Sequence, residues 1–122
     1  MIETIYIVDP LPDERRRIAD ALASEPVVVK IYDGAAQFLD EVAETASGCV
    51  LVPLDLPGIG LRALIDEINR RQLPLAVVVL GRDSEFAIAV ELVRYGAFDF
   101  LEHPFSDHHL RLVVRRAIGA CA

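Results

Sequence analysis

Apolar positions along the chain fall into two alternating kinds of run. Short β-rich runs occur at 4–8 (TIYIV), 27–32 (VVVKIY), 49–52 (CVLV), 75–80 (LAVVVL) and 98–101 (FDFL), each of strand length and composition. Between them, 13–24, 35–46, 61–71, 84–95 and 106–119 carry apolar residues at helical spacing. In the first of these Ile18, Ala21 and Leu22 share a face, and Arg15, Arg16 and Arg17 are expected to reach solvent. Asp13 and Ser106 are the expected N-caps of the first and last helices. Strands apolar on both faces, LAVVVL above all, belong in a parallel sheet covered by helices on each side. Five βα units without an internal repeat or linker predict an α/β fold. The sheet is five-stranded, parallel and doubly wound as (βα)5 in a three-layer sandwich, with residues 1–122 as one domain.

Sheets of this kind bind ligands at the carboxyl ends of their strands, near the topological switch point. The residues to inspect are therefore Asp9 and Pro10, Pro53 to Asp55, 81–83, and 102–104. A dinucleotide or flavin site would need a glycine-rich turn after the first strand, so that backbone N–H groups can approach phosphate. That turn reads DPLPDE: Pro10 and Pro12 have no N–H to donate, and Asp9 and Asp13 repel phosphate. An acidic turn suits a hard divalent cation better.

Composition narrows the choice further. Nineteen acidic against twelve basic residues give a net charge of -7, which opposes direct nucleic-acid binding by this segment, since that affinity comes largely from Lys and Arg displacing counterions. No apolar run reaches the ~20 residues of a membrane span. The opening MIETIYIVDP has no basic segment followed by a long apolar run, so no secretory signal is expected and the predicted setting is the cytoplasm. Cys49 and Cys121 do not suggest a disulfide framework. Cys49, opening an apolar strand, reads as a small buried hydrophobe. The basic residues include a single lysine, Lys30.

The segment YGAFDFLEHPF (95–105) is similar to the A-G-A-x-D-[FY]-[LI]-x-K-P-F signature of bacterial response-regulator receiver domains. IYIVD at the first strand, IYDGAAQFLDEV from the second strand into its helix, and PGIGL after the third strand agree with it in order and spacing. The chain resembles this family over essentially its whole length, most of all receivers that precede a LuxR-type helix-turn-helix domain. The resemblance implies a flavodoxin-like fold and a two-component signalling role rather than an enzyme's. It also implies a mechanism: two acids after the first strand hold magnesium, and an aspartate after the third accepts a phosphoryl group. A Thr or Ser after the fourth strand and a Lys after the fifth bind the phosphoryl oxygens. Charge neutralisation is the physical point, because a phosphoaspartate cannot form among carboxylates without balancing cations.

Carried onto this chain, Asp9 matches the first acid, but Pro10 stands at the second. Pro53 falls at the acceptor position, whether aligned forward from Tyr32 or backward from Pro57 and Gly58. It has neither a nucleophile nor an N–H. Gly81 falls at the hydroxyl position, with Ser84 nearby, and His103 replaces the lysine. Four of five positions have lost their functional groups, so the expectation is a degenerate pseudo-receiver with no catalytic residue and no cofactor. The competing alignment makes Asp55 the acceptor, with magnesium as cofactor. Asp9 is the one candidate metal ligand, though a lone loop carboxylate also serves as a turn residue; a His103/His108 zinc site is a remote alternative. Phe100 matches the family's switch aromatic, and His103–Pro104 a peptide that is cis in the family. The fourth helix (SEFAIAVELVRYGAF) is apolar over more than one stripe. In the family the surface of fourth helix, fifth strand and fifth helix makes the dimer. A homodimer through Ile88, Leu92, Tyr95 and the last helix is therefore expected, with a DNA-binding effector domain fused or separate.

Overall fold

The computed structural model describes residues 3–82 and 86–120. Strands and helices alternate: β1 (Glu3–Val8), α1 (Pro12–Leu22), β2 (Val27–Tyr32), α2 (Ala35–Glu41), β3 (Gly48–Pro53), α3 (Gly60–Arg70), β4 (Leu75–Arg82), α4 (Phe86–Tyr95), β5 (Asp99–His103) and α5 (Asp107–Ala120). The five strands form one parallel sheet in the order β2-β1-β3-β4-β5. This is the flavodoxin-like doubly wound arrangement, with its switch point between β1 and β3.

The pattern of burial follows from that order. The inner strands β3 and β4 are buried along almost their whole length, whereas the edge strand β2 is half-buried or exposed up to Ile31 and buried only at Tyr32. Side chains alternate across the sheet and build two cores. Ile5, Ile7, Cys49, Leu51, Val78 and Leu80 pack with Ile18 and Leu22 of α1 and with Leu110, Val113 and Val114 of α5. On the other face Tyr6, Val8, Val50, Val52, Val77 and Val79 pack with Phe38 of α2, Leu61, Leu64 and Ile65 of α3, and Leu92 of α4. Each fully buried aliphatic side chain contributes about 1.5–3 kcal/mol relative to exposure, so these two layers carry the fold. Cys49 is fully buried, as its place in an apolar strand predicts.

Local signals at the helix ends were only partly as expected. Ser106 caps α5: its Oγ accepts the His109 N–H at 3.0 Å. Asp13 does not cap α1. The helix starts one residue earlier, with Leu11 as a cap that makes no side-chain bond and Pro12 at the first helical position, where a missing N–H costs nothing. Asp13 and Glu14 instead lie in the first turn, where the positive end of the helix dipole favours acids. Helix α2 ends at Glu41, before the predicted 46, because Val42 is already extended. Of the α1 arginines, Arg15 turns back to the Asp9 carbonyl at 2.6 Å and Arg17 to the Phe105 carbonyl at 2.6 Å. With Arg111 on the Ala21 carbonyl and Arg115 on Glu25, they tie α1 and the turn after it to the end of β1, the loop after β5 and α5. Among the described residues, no helix is long and apolar enough to cross a membrane.

Candidate functional site

The sheet's register sets the candidate groups side by side. Ile7 of β1 is level with Leu51 of β3, so two residues further on Asp9 comes level with Pro53. Both continue the face that points toward α1 and α5, since Ile5, Ile7, Cys49 and Leu51 lie in that core. Pro53 is level with Leu80 of β4, Gly81 with Glu102, and Arg82 with His103. Gly81 is buried within β4 itself rather than in the loop beyond it, because the strand runs on to Arg82. Ser84, the nearby hydroxyl, lies outside the described residues.

Asp9 is 3% exposed and is the buried polar residue of the described chain. Its Oδ1 accepts the Leu11 N–H at 2.9 Å, closing a turn into α1, and its own N–H donates to the Tyr32 carbonyl at 3.1 Å. Burial pushes its pKa up, the Leu11 N–H pulls it down, Glu14 raises it, Arg15 lowers it and Asp55 raises it. Glu14 is the residue that sequence reasoning missed. Its signal was present: an acid in the first turn of a helix that begins three residues after Asp9 comes over the end of β1.

Glu14 Oε1 is buried without a hydrogen-bond partner among the described residues. His103 Nε2 stands 3.9 Å from it, too far for a hydrogen bond. The imidazole rests beside the Phe105 ring, centroids 4.7 Å apart, and the Arg17 guanidinium lies over the same ring. His103–Pro104 is cis, as the resemblance implied. His108 is exposed on α5.

The side-chain oxygens at the strand ends are those of Asp9, whose Oδ1 holds a backbone N–H, and of Glu14, whose Oε1 is buried; Pro10 and Pro53 offer none, and Asp55 is exposed on its turn. No group of three or more His, Cys, Asp or Glu among the described residues is placed to hold a metal.

On the other side of β5, Phe100 is half-buried and packs against the core facing α2, α3 and α4. It also lines a groove of about 530 Å³ with Ala89, Val90, Val93, Arg94, Glu102 and His109. Ile88, on the same helix as Val90 and Val93, is 47% exposed. Leu92 is not available at this surface: it is 3% exposed and belongs to the core, because α4 must bury one stripe to stay on the sheet. Tyr95 is 37% exposed, with its hydroxyl bonded to Asp66 of α3 at 2.6 Å.

A doubly wound parallel sheet with an acid at its switch point and an aromatic at the outer strand defines a receiver-type α/β signalling domain. The chain belongs to the response regulator receiver domain family, which matches residues 5–115. It is similar to the transcriptional regulatory protein FixJ of Azorhizobium caulinodans, 33% identical over 118 residues, 97% of this chain and 56% of that protein. The crystal structure of full-length FixJ from B. japonicum is similar with a TM-score of 0.89 and 29% identity, over 98% of this chain and 59% of that one. The receiver domain of NtrX from Brucella abortus matches with a TM-score of 0.85 and 32% identity, over 94% of this chain and 98% of that one. The chain thus spans a little over half the length of the FixJ regulators.

Proposed function

We propose that this receiver domain regulates by protein–protein contact and without a phosphorylated state. What supports the reading is the set of groups at the strand ends. Asp9, Pro10, Pro53, Gly81 and His103 supply one carboxylate, no hydroxyl and no permanent cation. A phosphoryl group arriving there would meet Asp9 and Glu14 with no lysine ammonium after β5, and the nearby Arg15 guanidinium is already engaged by the Asp9 backbone carbonyl. The domain is a signalling module rather than an enzyme, in the cytoplasm. It associates as a homodimer through α4, β5 and α5, where Val90 and Val93 line the Phe100 groove and Ile88 and Leu112 are further exposed apolar side chains of the two helices. A LuxR-type DNA-binding effector, fused or separate, would take its cue from that association, and DNA contact belongs to the effector rather than to this acidic domain.

A second reading has one observation in its favour. The Asp55 carboxylate is close enough to raise the pKa of Asp9, and a second acid beside Asp9 is what a magnesium-dependent phosphoacceptor using Asp55 requires. The two readings separate on intact mass after incubation with a small phosphodonor and magnesium. Unchanged mass supports the first. A phosphate adduct that disappears in Asp55→Ala supports the second.

A further inference from the structure

Helix α4 is lightly anchored. Of its described side chains only Ala89 and Leu92 are buried, whereas α3 buries Leu61, Leu64, Ile65 and Ile68 and α5 buries Leu110, Val113, Val114 and Ala117. Two small anchors on one stripe hold a helix against a sheet but resist rolling about its own axis poorly. Something off that stripe adds to the control of its angle.

That something lies on the flank facing α3. The Tyr95 hydroxyl, at the last turn of α4, reaches both carboxylate oxygens of Asp66, at 2.6 and 2.7 Å. The Arg62 guanidinium sits over the Tyr95 ring, 5.0 Å from its centroid, and reaches Glu91 at 3.3 Å. The backbone brings these groups within range. Gly96 takes φ +147, and a Cβ there would lie 3.0 Å from Ile65 Cγ2, so the chain leaving α4 presses against α3 in a way that favours glycine. The N–H groups of Gly96 and Ala97 both return to the Leu92 carbonyl, at 3.0 and 2.8 Å, closing the helix at the same point. Asp66 also raises the Tyr95 pKa, chiefly through the hydrogen bond, which keeps the phenol a donor.

We infer that Tyr95 is a positioning residue: its bond to Asp66 clasps α4 to α3 and thereby fixes the rotation of α4 that holds the Phe100 groove open. The geometry is that of a lever. Tyr95, Glu91 and Ile88 lie toward one side of α4, while Val90, Val93 and Arg94 form a wall of the groove on β5 and α5. Rolling the helix away from α3 swings that wall over Phe100. The inference rests on the proposed association surface only for its biological meaning; the clasp itself is a property of one chain.

The test is therefore done on the isolated monomer at low concentration, by hydrogen exchange and NMR, on wild type, Tyr95→Phe, Asp66→Ala and the double variant. Amides of 88–97 exchange roughly threefold to tenfold faster in each single variant, while α1 and α5 stay as in wild type. The double variant exchanges no faster than either single one, because both remove the same bond. The Phe100 ring resonances shift in both single variants as the groove wall moves. Exchange of 88–97 at the wild-type rate in both single variants would overturn the inference. Because self-association is measured separately by sedimentation, a loosened α4 in a chain that never dimerises would uphold the clasp and count against the association reading alone.

Discussion

Replacing Asp9 by Asn should make the protein more stable at neutral pH. The substitution keeps the bond that closes the turn after β1. An Asn side-chain oxygen can still accept the Leu11 N–H that closes the turn into α1, and Arg15 binds the Asp9 backbone carbonyl rather than the carboxylate. Only the charge is lost. At 3% exposure the ionised carboxylate is poorly solvated, and Glu14 and Asp55 repel it while Arg15 attracts it. A neighbouring unit charge roughly 4–8 Å away contributes about 0.5–1 kcal/mol when screened as in water. Two acids against one guanidinium leave about one such increment of net repulsion, to which desolvation adds with the same sign. The gain is about 1 kcal/mol, or roughly 3–5 °C in melting temperature for a chain of this size.

The pH dependence fixes the cause. The pKa of Asp9 is raised in the folded chain, so the native state holds that proton more tightly than the unfolded one. Asp9 therefore contributes most below the ordinary carboxylate range, and that contribution fades as pH rises through its folded value. Urea melts of wild type and Asp9→Asn between pH 4 and pH 8 should diverge as pH rises and converge toward the acid end. An Asn variant no more stable than wild type at pH 7, or a gap that persists unchanged at acid pH, would refute the reasoning. The same series with millimolar magnesium bears on function. A wild-type melt shifted upward by the metal, and lost in Asp9→Asn, would show a cation neutralising this carboxylate and would favour the Asp55 reading.

Other outcomes follow from packing. Gly48→Ala should cost at least about 3 kcal/mol by equilibrium melting, because φ is +131 and the added Cβ would lie 2.0 Å from the Thr4 carbonyl oxygen. Leu92→Ala should cost about 2–4 kcal/mol as a core truncation. Ile88→Ala, on the exposed side of the same helix, should change stability by less than about 0.5 kcal/mol. Ile88→Asp should nevertheless shift sedimentation toward monomer if α4 forms the dimer surface, and an unchanged association constant would count against that surface.

The order of elements was legible because each inner strand is apolar on both faces and each helix has its own period, and long-range context did not need to overrule either. Where reading failed, a local rule met a competing one. Asp13 is a good capping residue, but Pro12 is better suited to the first helical position and moved the start of α1 back by one. Leu92 and Ile88 are four apart and both apolar, so sequence could not say which stripe faces the sheet; Leu92 took the core and Ile88 the surface. Asp9 was recognisable from its place after β1. Its relation to Glu14 and His103 was not, because it depends on how α1 settles over the strand ends, and no periodicity carries that distance. Tyr95 likewise read as a surface aromatic, while its partner Asp66 lies 29 residues away on another helix.

The strand ends and the α4 surface bear on one question, namely what moves the equilibrium. A ligand shifts a domain between two states only by binding one better than the other. If no phosphoryl group settles among Asp9, Glu14 and His103, that differential vanishes at the strand ends, and Phe100 has no reason to change rotamer in response to them. The remaining differential is at the groove, where a second copy can bind. Its contribution is set by mass action and grows by about 1.4 kcal/mol for each tenfold rise in concentration above the dissociation constant. Such a domain would report the abundance of its own chain rather than the activity of a kinase. Titrating the protein across its dissociation constant, with and without phosphodonor, should then give superimposable association curves. A donor-dependent displacement of the curve would restore phosphorylation as the input.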